Sequence, residues 1–312
     1  MNGDLGKSPI DSYNRGFSPT SHDCLTPHSP HGFAIMPFLK DSRTSPDFPR
    51  VGGVCYLNAA PLLRNLTDYL PAENVVYDVP SRLADLLARG QLDIAIVPSF
   101  QAFRDPNSVV LSDACIAAQD VARSVILFSR TPLHQITTLA LDAGSRSSAA
   151  LVRILLAELY QVRPRTRELP LNEDLTKTAD DAVLLIGDRA MVSRPDGFPH
   201  VWDVGAMWHD WTGLPFVFAL WIARPGVNHA YWGPRFAAAR DRGVAQIREI
   251  AVEAAENLGL PFPTCYDYLS RNLHFRLGEA EKTAVDRFGR LLAKHGFVPS
   301  GVELVYNSEN SR

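Results

Sequence analysis

The sequence predicts a two-lobed α/β protein with a ligand cleft between the lobes. Three observations carry this. From Arg50 onward, short apolar runs alternate with amphipathic segments of helical period, the order that builds sheets flanked by helices. The alternation completes two cycles of similar size, first over 51–99 and then over 124–188. A last strand-like run at 216–225 precedes a helical stretch that occupies the remainder. With 312 residues, 46% of them hydrophobic, the chain is long enough to bury one large core or two smaller ones.

Residues 1–48 hold six Pro and seven Ser with little periodic hydrophobicity, so they cannot offset the entropy of ordering and read as a flexible tail. Met36 stands near its end as a candidate true start of translation. In the first cycle, VGGVCYL (51–57) reads as a strand, and NAAPLLRNL as a loop entering a helix that tolerates Pro61 in its first turn. VVYDVP (75–80) is a strand. The segment 81–90 is a helix with Leu83, Leu86 and Leu87 on one face and Gly90 as its stop. LDIAIVPS (92–99) is continuously apolar, as expected of a parallel strand covered on both faces.

In the second cycle, SVILFS (124–129), TTLALD (137–142) and DAVLLIGD (181–188) are strands, with a helix over Ser147–Tyr160. FVFALWIARP (216–225) is the return strand, and 234–257, 262–273 and 279–295 are helical. Gly243 weakens the first of these helices by about 1 kcal/mol relative to Ala. Placing SVILFS and FVFALW side by side as the crossing strands divides the chain into one lobe of 49–125 with 218–312 and a second of 126–217.

Thirty-one Lys and Arg against 34 Asp and Glu give a net charge of −3 with no basic block, which argues against nucleic acid as a partner. No apolar stretch approaches the ~20 residues of a membrane span, and no basic-then-apolar leader opens the chain. The expectation is a cytoplasmic protein without a membrane partner. Cys24, Cys55, Cys115 and Cys265 lie far apart with no C-x-x-C pair and no His at ligand spacing, so no metal site is expected and the cysteines read as thiols in a reducing compartment.

Small ligands in such folds bind beyond the carboxyl ends of the strands, and the polar residues there are the candidates. Beside Tyr56, Asn58 offers two donors and one acceptor; it either holds a carbonyl or carboxylate or caps the next helix. The turn Asp142-Ala-Gly-Ser145-Arg146-Ser147-Ser148 enters a helix, so hydroxyls and free N–H groups converge at the positive end of its dipole, an anion site in outline or ordinary Ser capping. It matches neither phosphate-loop fingerprint. Ser124 opens a strand near the lobe crossing, as a ligand donor or a turn former, without a nucleophile elbow around it. Asp188 ends a strand, as an acceptor or a cap. Thr212 and Gly213 enter the return strand after Trp202, Trp208 and Trp211, aromatics that either floor a pocket with Phe216 and Phe218 or pack the core.

V-x-x-V-x-Y-L-N-x-x-P-L at 51–62, L-D-I-A-I-V-P-S at 92–99, R-S-V at 123–125, L-D-x-x-S-R-x-S-x-x-L at 141–151, L-L-I-G-D at 184–188 and T-G-L-P-F-V-F-A at 212–219 together resemble the chorismate dehydratase family of the futalosine route to menaquinone. The resemblance covers about 49–300. It implies a periplasmic-binding-protein fold of the second type and a hydro-lyase that converts chorismate to 3-[(1-carboxyvinyl)oxy]benzoate without cofactor or metal. It also implies functional roles for Asn58 and Ser124, and places Ser145, Ser147 and Ser148 on the cleft. Tyr56, Arg146, Asp188, Thr212 and Gly213 complete the expected substrate-binding set. One departure stands out: family members commonly carry D-G-P before R-S-V, where this chain has Ala118-Gln119-Asp120-Val121-Ala122. Two other readings are a non-enzymatic binding protein for small carboxylates and the related dihydroxynaphthoate synthase of the same pathway. The latter opens with a Ser-Pro-Cys-Pro-Asn-Asp-like motif where this chain has Tyr56-Leu57-Asn58.

Overall fold

A computed structural model describes residues 48–106 and 108–306. Positions 1–47 of the expected tail, with Met36 and Cys24, lie outside the described residues. In chain order the first elements are β1 (Val51–Val54), α1 (Ala60–Leu63), β2 (Val75–Asp78), α2 (Pro80–Ala88), β3 (Ile94–Pro98), α3 (Ser99–Ala102) and β4 (Val109–Ala118). There follow β5 (Val125–Ser129), β6 (Thr138–Asp142), α4 (Ser147–Tyr160), β7 (Arg165–Leu169), β8 (Ala182–Ile186), α5 (Gly187–Val192), β9 (His200–Asp203) and α6 (Val204–Thr212). The chain closes with β10 (Phe216–Ala223), α7 (His229–Ala245), α8 (Ile247–Leu258), α9 (Phe262–Asp267), β11 (Leu273–Arg276), α10 (Glu279–Lys294) and β12 (Val305–Tyr306).

The strands form two sheets. One runs β11-β4-β10-β3-β1-β2 with β12 added beside β4; the other runs β7-β6-β8-β5-β9. Both are mixed: β3 pairs in parallel with β1 and antiparallel with β10, and β8 pairs in parallel with β6 and antiparallel with β5. Every residue of β3 and β8 is buried, which fits central strands covered on both faces and explains their unbroken apolar sequences. The chain passes from the first sheet to the second between β4 and β5 and returns between α6 and β10. SVILFS and FVFALW are therefore not neighbours: β5 lies between β8 and β9, and β10 between β3 and β4.

Helix boundaries follow local chemistry. Pro80 opens α2, because its missing N–H falls where the helix has no partner to offer. Asp203 and Asn228 cap α6 and α7 by accepting N–H groups from Ala206 and Tyr231, each at 3.0 Å. The helical segment expected at 234–257 is two helices parted at Gln246. The one expected at 262–273 is α9, then a turn of π-helix at Tyr268–Asn272, then the start of β11. A single large core runs under both sheets, with Trp208, Phe216 and Phe288 edge-to-face at 5.0–6.4 Å. A smaller cluster around Phe128, Leu185 and Phe198 covers the outer face of the five-stranded sheet.

Candidate active site

Between the two sheets lies a cavity of about 40 Å³. Tyr56 and Asn58 reach it from the turn after β1, Ser124 from the crossing before β5, and Ser145, Ser147 and Ser148 from the entry to α4. The rest of its wall is apolar, including Phe218, Ile116 and Ile186, and no lining side chain carries a charge. A dianion held here must rely on neutral donors and on the N-terminus of α4, a helix of 14 residues.

The crossing segment is held in an uncommon conformation to deliver Ser124. Arg123 has φ 59°, a left-handed value rare outside glycine. The Asp203 carboxylate holds it there by accepting the N–H groups of Ala122 at 3.0 Å and Arg123 at 2.7 Å. The stretch that departs from the family pattern thus ends in a turn clamped by a single carboxylate. Ser124 is 2% exposed, and its Oγ accepts a hydrogen bond from the Tyr268 hydroxyl at 2.7 Å. The Asn58 side-chain oxygen is buried without a partner, an acceptor turned to no group of the protein.

Tyr56 reaches from one sheet to the other. Its ring lies over Gly187, where an added Cβ would come within 2.8 Å of the ring, and its hydroxyl would be 2.9 Å from a Cβ on Gly144. Gly187 also has φ 59°, so two independent reasons require glycine there. Gly187→Ala should push the ring out of place and raise KM several-fold with a smaller loss of kcat, checked by steady-state kinetics on the purified variant.

The serine-rich turn is bonded across the cleft. Ser145 Oγ accepts the Ser148 N–H at 3.1 Å, which caps α4. Ser147 Oγ accepts the Phe100 N–H at 3.1 Å and lies 3.2 Å from Ser99 Oγ. Ser81 donates its hydroxyl to the Ala143 carbonyl at 2.8 Å. Arg146, expected to bind substrate, instead bridges the two sheets through Asp85 at 2.7 Å and Gln101 at 2.9 Å, and does not line the cavity. Thr212 and Gly213 also stand off the wall: the Thr212 hydroxyl donates to the Trp208 carbonyl at 2.7 Å, and Gly213, with φ 70°, ends α6. Of the aromatics, Phe218 lines the cavity, Trp208 is buried in the core and Trp202 is 36% exposed.

Asp188 accepts the Leu57 N–H at 3.0 Å and lies behind the wall, not on it. Burial pushes its carboxyl up to about 7, and the Leu57 N–H only partly opposes this. The folded protein therefore keeps a proton that the unfolded chain releases from about pH 4. This group's contribution to stability is complete below that pH and is lost as pH rises through about 7. Asp188→Asn keeps an oxygen for Leu57 and removes the titration. Thermal melts should show the variant gaining on the wild type between about pH 4 and 7, by a few kcal/mol at most at ~1.4 kcal/mol per pH unit, and levelling off above. Parallel melting curves would contradict this.

Sequence reasoning passed over Tyr268 and Asp203. The first is hidden in a stretch of helical period and the second in a short edge strand, and neither position carries a local signal of its role.

A two-lobed α/β chain with two mixed sheets and an uncharged, hydrogen-bonding cavity between them has the periplasmic-binding-protein type of fold. Similar solved structures share that architecture. A protein of Archaeoglobus fulgidus gives a TM-score of 0.64 at 14% identity, covering 80% of this chain and 98% of that one. The periplasmic aliphatic sulphonate binding protein SsuA of Escherichia coli gives 0.56 at 16%, covering 83% and 90%. The family model described as menaquinone biosynthesis matches residues 49–294. Chorismate dehydratase of Thermus thermophilus is 30% identical over 262 residues, 76% of this chain and 92% of that protein. Chorismate dehydratase of Campylobacter jejuni is 30% identical over 175 residues, 54% and 64% respectively. The chain belongs to the menaquinone-biosynthesis family. No helix among the described residues is long and apolar enough to cross a membrane.

Proposed function

We propose that this protein is a cofactor-independent chorismate dehydratase, which eliminates water from chorismate to give 3-[(1-carboxyvinyl)oxy]benzoate in the futalosine route, and that it works in the cytoplasm. One observation carries the reading beyond family membership: Asn58, Ser124 and the serine-rich entry to α4 line one cavity although they come from three separate stretches of the chain.

Chorismate brings two carboxylates and one ring hydroxyl. The α4 N-terminus with Ser145, Ser147 and Ser148 suits one carboxylate, and Asn58 with Ser124 suits the other. The ring proton on the ether-bearing carbon is acidified through the diene conjugated to the ring carboxylate. Donors on that carboxylate stabilise the charge delocalised onto it as deprotonation proceeds. The cavity wall carries no Asp, Glu or His. The enolpyruvyl carboxylate, held by Asn58 and Ser124, takes the proton itself, a general-base step worth ~10²–10⁴-fold. The electron pair closes the aromatic system, and the ring hydroxyl leaves with the proton that the carboxylate has taken, as water, which regenerates the carboxylate.

The Ser81, Ser147 and Arg146 contacts join the lobes, 49–125 with 218–312 and 126–217, across the cleft, and substrate entry proceeds by their release. Incubating purified protein with chorismate tests the function: a benzoate absorbance should appear with the loss of one water from the substrate mass. Unchanged chorismate in the presence of folded protein refutes it.

A further inference from the structure

Tyr268 is the first residue of the π-helical turn Tyr268–Asn272, inserted between α9 and β11, a distortion that recurs at functional sites. The turn brings a completely buried phenol behind the cavity wall, 144 residues from Ser124 in sequence, and the phenol donates to Ser124 Oγ at 2.7 Å. Leu273, where the turn ends, lines the same cavity. Burial raises the pKa of Tyr268, the bond to Ser124 lowers it, the nearby Asp188 raises it and the Asn58 side chain lowers it. The net shift is upward, so the phenol keeps its proton throughout the working pH range. Tyr268 thus touches both residues to which the proposed reaction assigns the substrate.

A serine hydroxyl has one proton and two acceptor sites. With one acceptor site filled by Tyr268 and no other partner for Ser124 Oγ among the described residues, the serine proton has the cavity as its open direction. We propose that Tyr268 is a positioning residue, whose fixed donation to Ser124 Oγ orients the serine as a donor toward the substrate carboxylate. The proposal rests on the dehydratase reading and deepens it. Without the phenolic proton, the Ser124 hydroxyl turns freely and must be oriented anew in each turnover, a cost that falls on the chemical step.

Steady-state kinetics on the full chain with chorismate test it. Tyr268→Phe should lower kcat about tenfold, the worth of one neutral hydrogen bond, with KM changed less than about twofold. In a Ser124→Ala background the same substitution should leave kcat unaltered, because the group it orients is gone. Site-specific 3-fluorotyrosine at 268, which keeps the donor and nearly the same shape, should retain kcat to within about twofold and serves if the Phe variant does not fold. A wild-type protein inactive on chorismate overturns the dehydratase reading and the proposal with it. An active wild type whose kcat survives Tyr268→Phe, equal losses in the wild-type and Ser124→Ala backgrounds, or loss with fluorotyrosine overturns the proposal alone.

Discussion

On the proposed reaction, Ser124→Ala should lower kcat for chorismate by about 10²–10³-fold while KM changes less than about threefold. The magnitude is that of removing one preorganised donor from a water-excluded site. The split between the two constants follows from where charge moves. In the proposed ground state, several donors at Asn58 and along the α4 entry would share the two carboxylates, so one lost hydroxyl should weaken binding little. Along the reaction coordinate the carboxylate served by Ser124 must hold its angle to the ring proton while its charge changes, and only interactions that improve toward the transition state raise kcat. The protein invests in this one hydroxyl: the left-handed Arg123, the Asp203 clamp on Ala122 and Arg123, and the buried Tyr268 all fix it. The measurement is kcat and KM by continuous absorbance on the folded variant. An unchanged kcat removes Ser124 from the mechanism.

The charged side chain of the serine-rich turn is engaged across the cleft and not within the cavity. Arg146 lies outside the cavity and is spent on Asp85 and Gln101, so its charge draws the sheets together without gripping the ligand. Ser147 divides its oxygen between the Phe100 N–H and the neighbourhood of Ser99. These contacts span the two sheets.

The sequence made the strand ends legible because apolar runs stop where polar residues begin. That placed Asn58, Ser124 and the 145–148 turn as candidates, and the structure brings Asn58, Ser124 and the three serines of the turn to one wall. It could not show which polar ends face inward. Arg146 and Thr212 sit in equally suggestive positions, yet each is consumed by a neighbour that is distant in sequence or a helical turn away. Strand β4 escaped notice because Ser112 and Asp113 interrupt its apolar pattern, and β7 because four of its five residues are exposed and polar. The pairing of β10 with β3 and β4 was misplaced because an antiparallel return through a mixed sheet leaves no trace in local periodicity.

Gly243→Ala inverts what local propensity expects. In an isolated helix the change is favourable by about 1 kcal/mol, because alanine surrenders less backbone entropy. Here α7 crosses α1 so closely that a Cβ on Gly243 would stand 1.8 Å from the Pro61 carbonyl oxygen and 2.7 Å from its carbon. Backbone cannot rotate aside as a side chain can, so the helices must separate and open the packing of Leu62 and Leu63 beneath them. Overpacking of this kind costs about 3 kcal/mol, which lowers Tm by roughly 6 °C or more at the ~2 °C per kcal/mol of a large domain. Gly259→Ala is the control: its φ of 64° strains an alanine, but nothing lies within 4 Å of the added Cβ, so the expected cost is only the ~1–2 kcal/mol of a left-handed residue. The consequence extends to the site, because α1 follows directly on the turn that carries Asn58. Gly243→Ala should therefore lose activity as well as stability, while Gly259→Ala, away from the cavity wall, loses stability alone. Melting curves and kinetics on the two variants separate these outcomes, and a Gly243→Ala protein as stable as the wild type would mean that α1 and α7 do not approach this closely in solution.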